Sequence, residues 1–220
     1  MAVQPTAQRQ PRPRIEGLAD LIFGLSLSIG SIALIANPPT STTDILSHMA
    51  AFGFTFLILI TAWLIYTTDM SVLPVETKSI TFLNVPLLLL VAVVPYLLNV
   101  TELGNSALPP GDASSIKDFA SSLFGIDLAG ILVILALFAH VISLEERRLV
   151  APEAAKLFRD GRNRMAILAV VMAISVAPYF WQTPLFGVPL RLYVWYIPLI
   201  SYWVGRAVRP ESRTYQATDP

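Results

Sequence analysis

Three ionisable side chains lie inside or just inside long apolar segments of the chain, where they could take part in chemistry. They are Asp20, Asp127 and His140. An ionisable group in hydrocarbon is costly enough to be a candidate for function by default. For each acid the sequence leaves two roles open, namely a structural hydrogen bond or ion pair with another helix, and the carriage of a proton or an ion. For His140 we expect a hydrogen bond between helices.

The residue patterns of common enzymes are missing from the sequence. The chain has two histidines, no cysteine, and no HExxH, GxSxG, Walker or GxGxxG pattern. The lack of cysteine excludes thiol catalysis and cysteine-ligated metals, and nothing indicates hydrolysis, phosphoryl transfer or dinucleotide binding. We therefore expect a protein that is not an enzyme, with no cofactor, no fixed metal and no nucleic-acid partner.

The elements that must position these residues are membrane-spanning helices. Hydrophobic residues make up 55% of the chain and charged residues 14%, which departs from the soluble average. A span needs about 20 mostly apolar residues to cross roughly 30 Å of hydrocarbon. Six segments qualify, at 18–36, 50–68, 79–100, 121–144, 165–182 and 190–208. The prediction is an all-α polytopic membrane protein with a single six-helix domain (14–208), preceded by a disordered cytoplasmic N-terminus (1–13) and followed by a cytoplasmic tail (209–220).

The distribution of basic residues predicts the orientation. Six spans place 13 of the 15 Lys and Arg residues on one side and leave Lys117 and Arg191 on the other. By the positive-inside rule, both termini then face the cytoplasm in a multi-pass protein of the cytoplasmic (cell) membrane. Asp44 and Asp118 stand before the second and fourth spans and are candidate helix caps.

The first span carries two stripes at helical spacing. One consists of small residues, Gly24, Ser28 and Ser31, which permit close approach of another backbone. The other, which we call the aliphatic stripe, consists of Leu25, Ser28, Ile29 and Ile32. Spacing alone fits two packing faces of a buried helix better than a pore lining whose aliphatic rings gate by expelling water.

The residues "RIEGLAD" at 14–20 resemble the Arg-x-x-x-Phe-Ser-Asp signature of the transmembrane protein 175 family of lysosomal and prokaryotic potassium channels. Arg14 and Asp20 match its charged ends, whereas Leu18 and Ala19 replace Phe and Ser. Trp63 falls where the family has a tryptophan late in its second helix. The histidine expected three residues later is a tyrosine here.

The third span, "TFLNVPLLLLVAVVPYLLN", continues the likeness. It resembles the family's Leu-Asn, leucine run and Pro-aromatic pattern, with Asn84 and Pro95 in the matching places. The resemblance covers residues 14–100, and the later half is similar only in the number and arrangement of spans.

The resemblance implies a homotetramer of single six-helix units in membrane lipid, conducting potassium and other monovalent cations passively through a central pore. Four first helices would line that pore. The family's gating position falls on Leu25, and the position linked to potassium preference falls on Ser28. Ile29 or Ile32 is then the next constriction. The polar network that holds the first helix in place would consist of Arg14, Asp20, Trp63 and Asn84.

Two alternative hypotheses assign the chain to functional classes other than ion channels. A small proton-coupled secondary transporter would use Asp20 or Asp127 as the coupling acid. A membrane scaffold would transport nothing and would depend on a partner chain.

Overall fold

The structure is a computed structural model of the 220-residue chain. It describes residues 14–36, 38–39, 41–72, 78–103, 110–144 and 152–208. The predicted N-terminal segment 1–13 and tail 209–220 lie outside the described residues.

The described chain is almost entirely helical, which confirms the all-α prediction. Four long helices come first, and a fifth helix is followed by a short β-hairpin between short helices. The elements are α1 (Arg14–Ala36), α2 (Thr42–Val72), α3 (Lys78–Leu98) with a π-helical turn at Asn99–Leu103, α4 (Pro110–Ser143), α5 (Pro152–Ser175), α6 (Pro178–Gln182), β1 (Pro184–Leu185), β2 (Val188–Pro189), α7 (Leu190–Val194) and α8 (Tyr196–Val208).

Four of the described helices are long and apolar enough to cross a membrane. Their qualifying segments match the first four predicted spans, at Gly17–Ile35, Thr42–Val72, Ile80–Thr101 and Ser114–Ser143. Together with the fold comparison reported below, they make this a multi-pass membrane protein.

The last two predicted spans are not continuous helices, and this corrects the expected boundaries 165–182 and 190–208. Helix α5 ends at Ser175, and Ala177 is extended (φ −54°, ψ 138°), as expected for a residue that precedes a proline. The second break lies between α7 and α8. Pro198 lacks an N–H, and in a continuous helix its ring would clash with the carbonyl of Val194, the last residue of α7, four residues earlier.

The candidate caps were wrong because α2 and α4 begin earlier than predicted. Ser41 precedes α2, and its hydroxyl accepts the Asp44 backbone N–H at 3.1 Å, so Ser41 is the capping residue. Helix α4 begins at Pro110, and proline is favoured in the first turn. Asp118 therefore lies inside α4.

The helices pack as two neighbouring groups. Helix α1 lies against α2 and α3, and α4 lies against α3 and most extensively against α5. Helices α3 and α4 approach closely at Gly130, where an added Cβ atom would lie 2.8 Å from Leu90 Cδ1 and would force that side chain to shift. Aromatic rings join α2, α4 and the α7–α8 break, with the Phe124 and Trp195 centroids 4.3 Å apart and Phe54 stacked on Trp195.

The β-hairpin between α6 and α7 returns the chain to the end of the bundle. β1 pairs antiparallel with β2, and Phe186 and Gly187 both have positive φ (51° and 81°). Two positive φ values are characteristic of the tight hairpin turn whose twist matches that of paired strands. The hairpin reverses the direction of the chain. It places Arg191, in the first turn of α7, beside Asp118 on α4 and the C-terminal end of α5.

Arg191 is fully buried and joins three helices. Its Nη1 lies 2.7 Å from Asp118 Oδ1 and from the hydroxyl oxygens of Ser121 and Ser122 on α4, and its two protons are shared among these acceptors. Nε and Nη2 donate to the carbonyl oxygens of Ser175 and Val176 at 2.9 Å. The last carbonyls of a helix have no intrahelical donor, so the guanidinium supplies donors to the end of α5 as well as pairing with Asp118. We call this group the Arg191 clamp.

We predict that Arg191→Lys lowers the thermal unfolding temperature of the protein in detergent. An ammonium has three donors on a compact head and cannot reach both the α4 carboxylate and the α5 carbonyls, as the planar guanidinium does. Each charge-assisted hydrogen bond lost costs about 1.5–3 kcal/mol. The matched control is Arg206→Lys, since Arg206 is exposed and donates to Tyr202 Oη at 3.3 Å. Equal unfolding temperatures for the two variants would contradict the clamp.

Candidate functional site

The aliphatic stripe lies on a face of α1 that the described part of the chain leaves uncovered. Leu25 is 57% exposed, Ile29 41% and Ile32 59%. The spanning segment of α1 is also the least covered of the four, with 17% of its residues buried against 39–56% in the others. The stripe is therefore not a packing face among the residues that the structure describes.

The opposite face of α1 packs against the rest of the chain. Ala19, Phe23 and Ser26 are buried there, and the Phe23 ring lies 6.0 Å from the ring of Tyr66 on α2. By contrast, a Cβ atom on Gly24 would meet nothing within 4 Å. No described helix therefore approaches the small-residue stripe at that point.

The hydroxyl groups on the uncovered face are arranged as acceptors. Ser28 Oγ donates to the Gly24 carbonyl at 2.9 Å, and Ser31 Oγ donates to the Ser28 carbonyl at 2.7 Å. A serine hydroxyl has one proton and two lone pairs. Because each proton is used within the helix, the lone pairs remain to interact with a cation or with water on the uncovered side.

A hydrogen bond ties the beginning of α1 to α2. Trp63 Nε1 donates to Asp20 Oδ1 at 2.8 Å, which brings together two of the four residues of the predicted polar network. Asn84 on α3 is fully buried, and neither atom of its side-chain amide has a hydrogen-bond partner in the described part of the chain. The side chain of Arg14, the fourth member, lies outside what the structure describes.

Asp127 and Asp69 are buried acids on different helices. Asp127 on α4 is 4% exposed and Asp69 on α2 is 3% exposed. One carboxylate oxygen of each, Oδ2, has no hydrogen-bond partner among the described residues. Sequence reasoning missed Asp69 because the second span was ended at residue 68. The sequence feature that could have identified Asp69 is its helical spacing with Tyr66 and Met70, with which it forms one buried face.

The remaining candidate residues do not assemble a catalytic or metal site. Across the described ranges, no group of three or more His, Asp or Glu side chains is placed to hold a metal ion. His140 Nδ1 lies 3.0 Å from Arg162 Nη1 on α5, which confirms the predicted hydrogen bond between helices.

The fold can now be compared with known structures. A search of solved structures matches the crystal structure of a lysosomal potassium-selective channel TMEM175 homologue from Chamaesiphon minutus, with a TM-score of 0.60 over 89% of this chain and 97% of that chain, at 16% identity. The chain has the TMEM175 fold. This confirms, at the level of fold, the resemblance predicted from residues 14–100. No family model and no curated protein sequence matches the chain.

We predict that Trp63→Phe destabilises the packing of α1 in this TMEM175 fold. Phenylalanine keeps an aromatic ring but removes the donor to Asp20, and a hydrogen bond of this kind contributes about 1–3 kcal/mol. The measurement is the thermal unfolding temperature in detergent. Trp203→Phe is the matched control, because Trp203 lies on α8 and is 41% exposed. If both variants unfold at the wild-type temperature, the bond does not anchor α1.

Proposed function

We propose that the chain is the subunit of a potassium-permeable cation channel that conducts passively through a pore lined by α1. The observation that carries the proposal is the uncovered aliphatic stripe, in which Leu25 and Ile32 are more than half exposed. The likeness to the structure of a potassium-selective channel homologue supports it. In this reading the stripe faces an axis shared by several copies.

The proposed assembly is a homotetramer in the cell membrane with both termini in the cytoplasm. Four copies of α1 around one axis would cover four uncovered faces at once, whereas a single copy leaves its face exposed. The predicted charge asymmetry of the chain supports the orientation. The permeating ion is a substrate, and the proposal requires no fixed metal or cofactor.

The proposed gate works through hydration. A ring of Leu25 side chains offers no ligand to a cation, so an ion passes only when the constriction is wet. Ile29 or Ile32 would form a second constriction, up to about 10 Å further along the helix at 1.5 Å per residue. Ser28 lies between them, and its acceptor lone pairs favour a partly hydrated K⁺. We therefore expect modest selectivity.

The Asp20–Trp63 hydrogen bond has a positioning role in this proposal. Asp20 precedes Leu25 by five residues, about 7.5 Å along the helix axis. The bond lies on the packed side of α1, toward α2, and so holds the helix without contacting the ion.

We predict that Leu25→Ala raises passive K⁺ flux into liposomes about tenfold, equivalent to about 1.4 kcal/mol off the barrier. A shorter side chain widens the constriction and lowers the cost of wetting it. The control is Leu89→Ala on α3, because Leu89 is similarly exposed, at 64%. Unchanged flux in Leu25→Ala, or an equal rise in Leu89→Ala, would rule out the pore assignment.

A proton-coupled transporter is the second candidate, and the burial of Asp127 with an unpartnered carboxylate oxygen is the observation that favours it. The two functions differ in the response to Asp127→Asn. A channel lined by α1 keeps passive K⁺ flux in this variant, because Asp127 lies on α4. A transporter coupled through Asp127 shows saturable uptake driven by a proton gradient, and this variant abolishes it.

A further inference from the structure

An open groove runs between α4 and α5 on the surface of the bundle. Its volume is about 470 Å³, and five of its lining residues are alanines. The other apolar side chains are Val133, Leu137 and Val170, and the two polar ones are His140 and Arg162. Small side chains leave the groove open, and its lining is apolar everywhere except at the end that carries the two polar groups.

The dimensions of the groove match one leaflet of a bilayer. It extends from Ala129 to His140 along α4 and from Arg162 to Ala173 along the antiparallel α5. Eleven residues of helix correspond to about 16 Å, which is close to half of a hydrocarbon core of about 30 Å. The antiparallel arrangement places both polar residues at the same end.

The polar end carries a positive charge with neutral neighbours. Arg162 Nη1 contacts His140 Nδ1 at 3.0 Å, and Nε and Nη2 donate to Asn163 Oδ1 at 3.0 and 2.8 Å. A guanidinium has no acceptor, so the imidazole nitrogen must accept with its lone pair. Among the residues that the structure describes, no carboxylate forms an ion pair with Arg162.

We propose that this groove binds an anionic phospholipid, with one acyl chain between α4 and α5 and the phosphate against the Arg162 guanidinium. One N–H on Nη1 and one on Nη2 are not used by His140 or Asn163 and can donate to phosphate oxygens, and the remaining ring nitrogen of His140 supplies a further donor. Six Lys and Arg residues occur between Arg147 and Arg164. A basic cluster at the cytoplasmic end of spanning helices is typical of anionic-lipid sites.

The experiment measures the thermal unfolding temperature of the purified protein in detergent, titrated with phosphatidylglycerol or with phosphatidylcholine of the same acyl chains. We expect phosphatidylglycerol to stabilise the wild type more than phosphatidylcholine does. Arg162→Gln should weaken the apparent affinity for phosphatidylglycerol at least about tenfold, because a charge-assisted hydrogen bond is worth about 1.5–3 kcal/mol. The matched control, Lys156→Gln, removes an exposed charge on the same helix outside the groove. It should bind phosphatidylglycerol with the wild-type apparent affinity.

A second variant tests the groove without touching the charge. Ala166 is an exposed residue of the groove, and Ala166→Leu fills it while Arg162 remains, so phosphatidylglycerol should bind more weakly. The proposal would be overturned if both lipids stabilised the wild type equally, or if glycerol phosphate without acyl chains stabilised it as much as phosphatidylglycerol does. It would also be overturned if Arg162→Gln and Lys156→Gln had the same apparent affinity for phosphatidylglycerol. A change of oligomeric mass in Ala166→Leu without any lipid effect would assign the groove to a second copy of the chain instead.

Discussion

The hydrogen bond from Trp63 to Asp20 joins α1 to α2, and the proposed pore depends on the position of α1. It draws one side of the helix onto α2, where Phe23 meets Tyr66. The other side, with Leu25 and Ile32, is not covered by the described part of its own chain. A helix whose two faces differ in this way needs either lipid or another copy of α1 on the uncovered face. In the proposed channel it is another copy, and the serine lone pairs in the middle of that face then meet water or an ion.

In the second half of the chain, the Arg191 clamp joins helix α4 to the end of helix α5. The helices that follow α4 are interrupted, and an interrupted helix exposes backbone carbonyls that must find donors. Arg191 donates to the end of α5 and to the Asp118 carboxylate on α4. The clamp thereby fixes the spacing of α4 and α5 at one end. The groove with Arg162 lies further along the same pair of helices.

The sequence predicted the first four helices well and the last part of the chain poorly. Long apolar runs define α1 to α4 because length alone distinguishes a span. The predicted spans 165–182 and 190–208 are also mostly apolar, yet they are interrupted after Ser175 and after Val194, close to Pro178 and Pro198. Sequence reasoning assigned Arg191 only to a side of the membrane and to no partners, since the groups it binds lie 14 to 73 residues away in sequence. The spacing of the aliphatic stripe favoured a packing face over a pore lining, and only tertiary contacts show which face of a helix is covered.

The most direct test of the pore uses the absence of cysteine from the chain. Ser28→Cys places a thiol on the uncovered face of α1, and Ser26→Cys places one two residues away on the buried face. A small cationic thiol reagent is added to liposomes that contain each variant, and K⁺ flux is measured before and after. The account predicts that the reagent blocks flux through Ser28→Cys and leaves Ser26→Cys unaffected. Equal flux in the treated variants, whether blocked or unblocked, would contradict a pore lined by this face of α1.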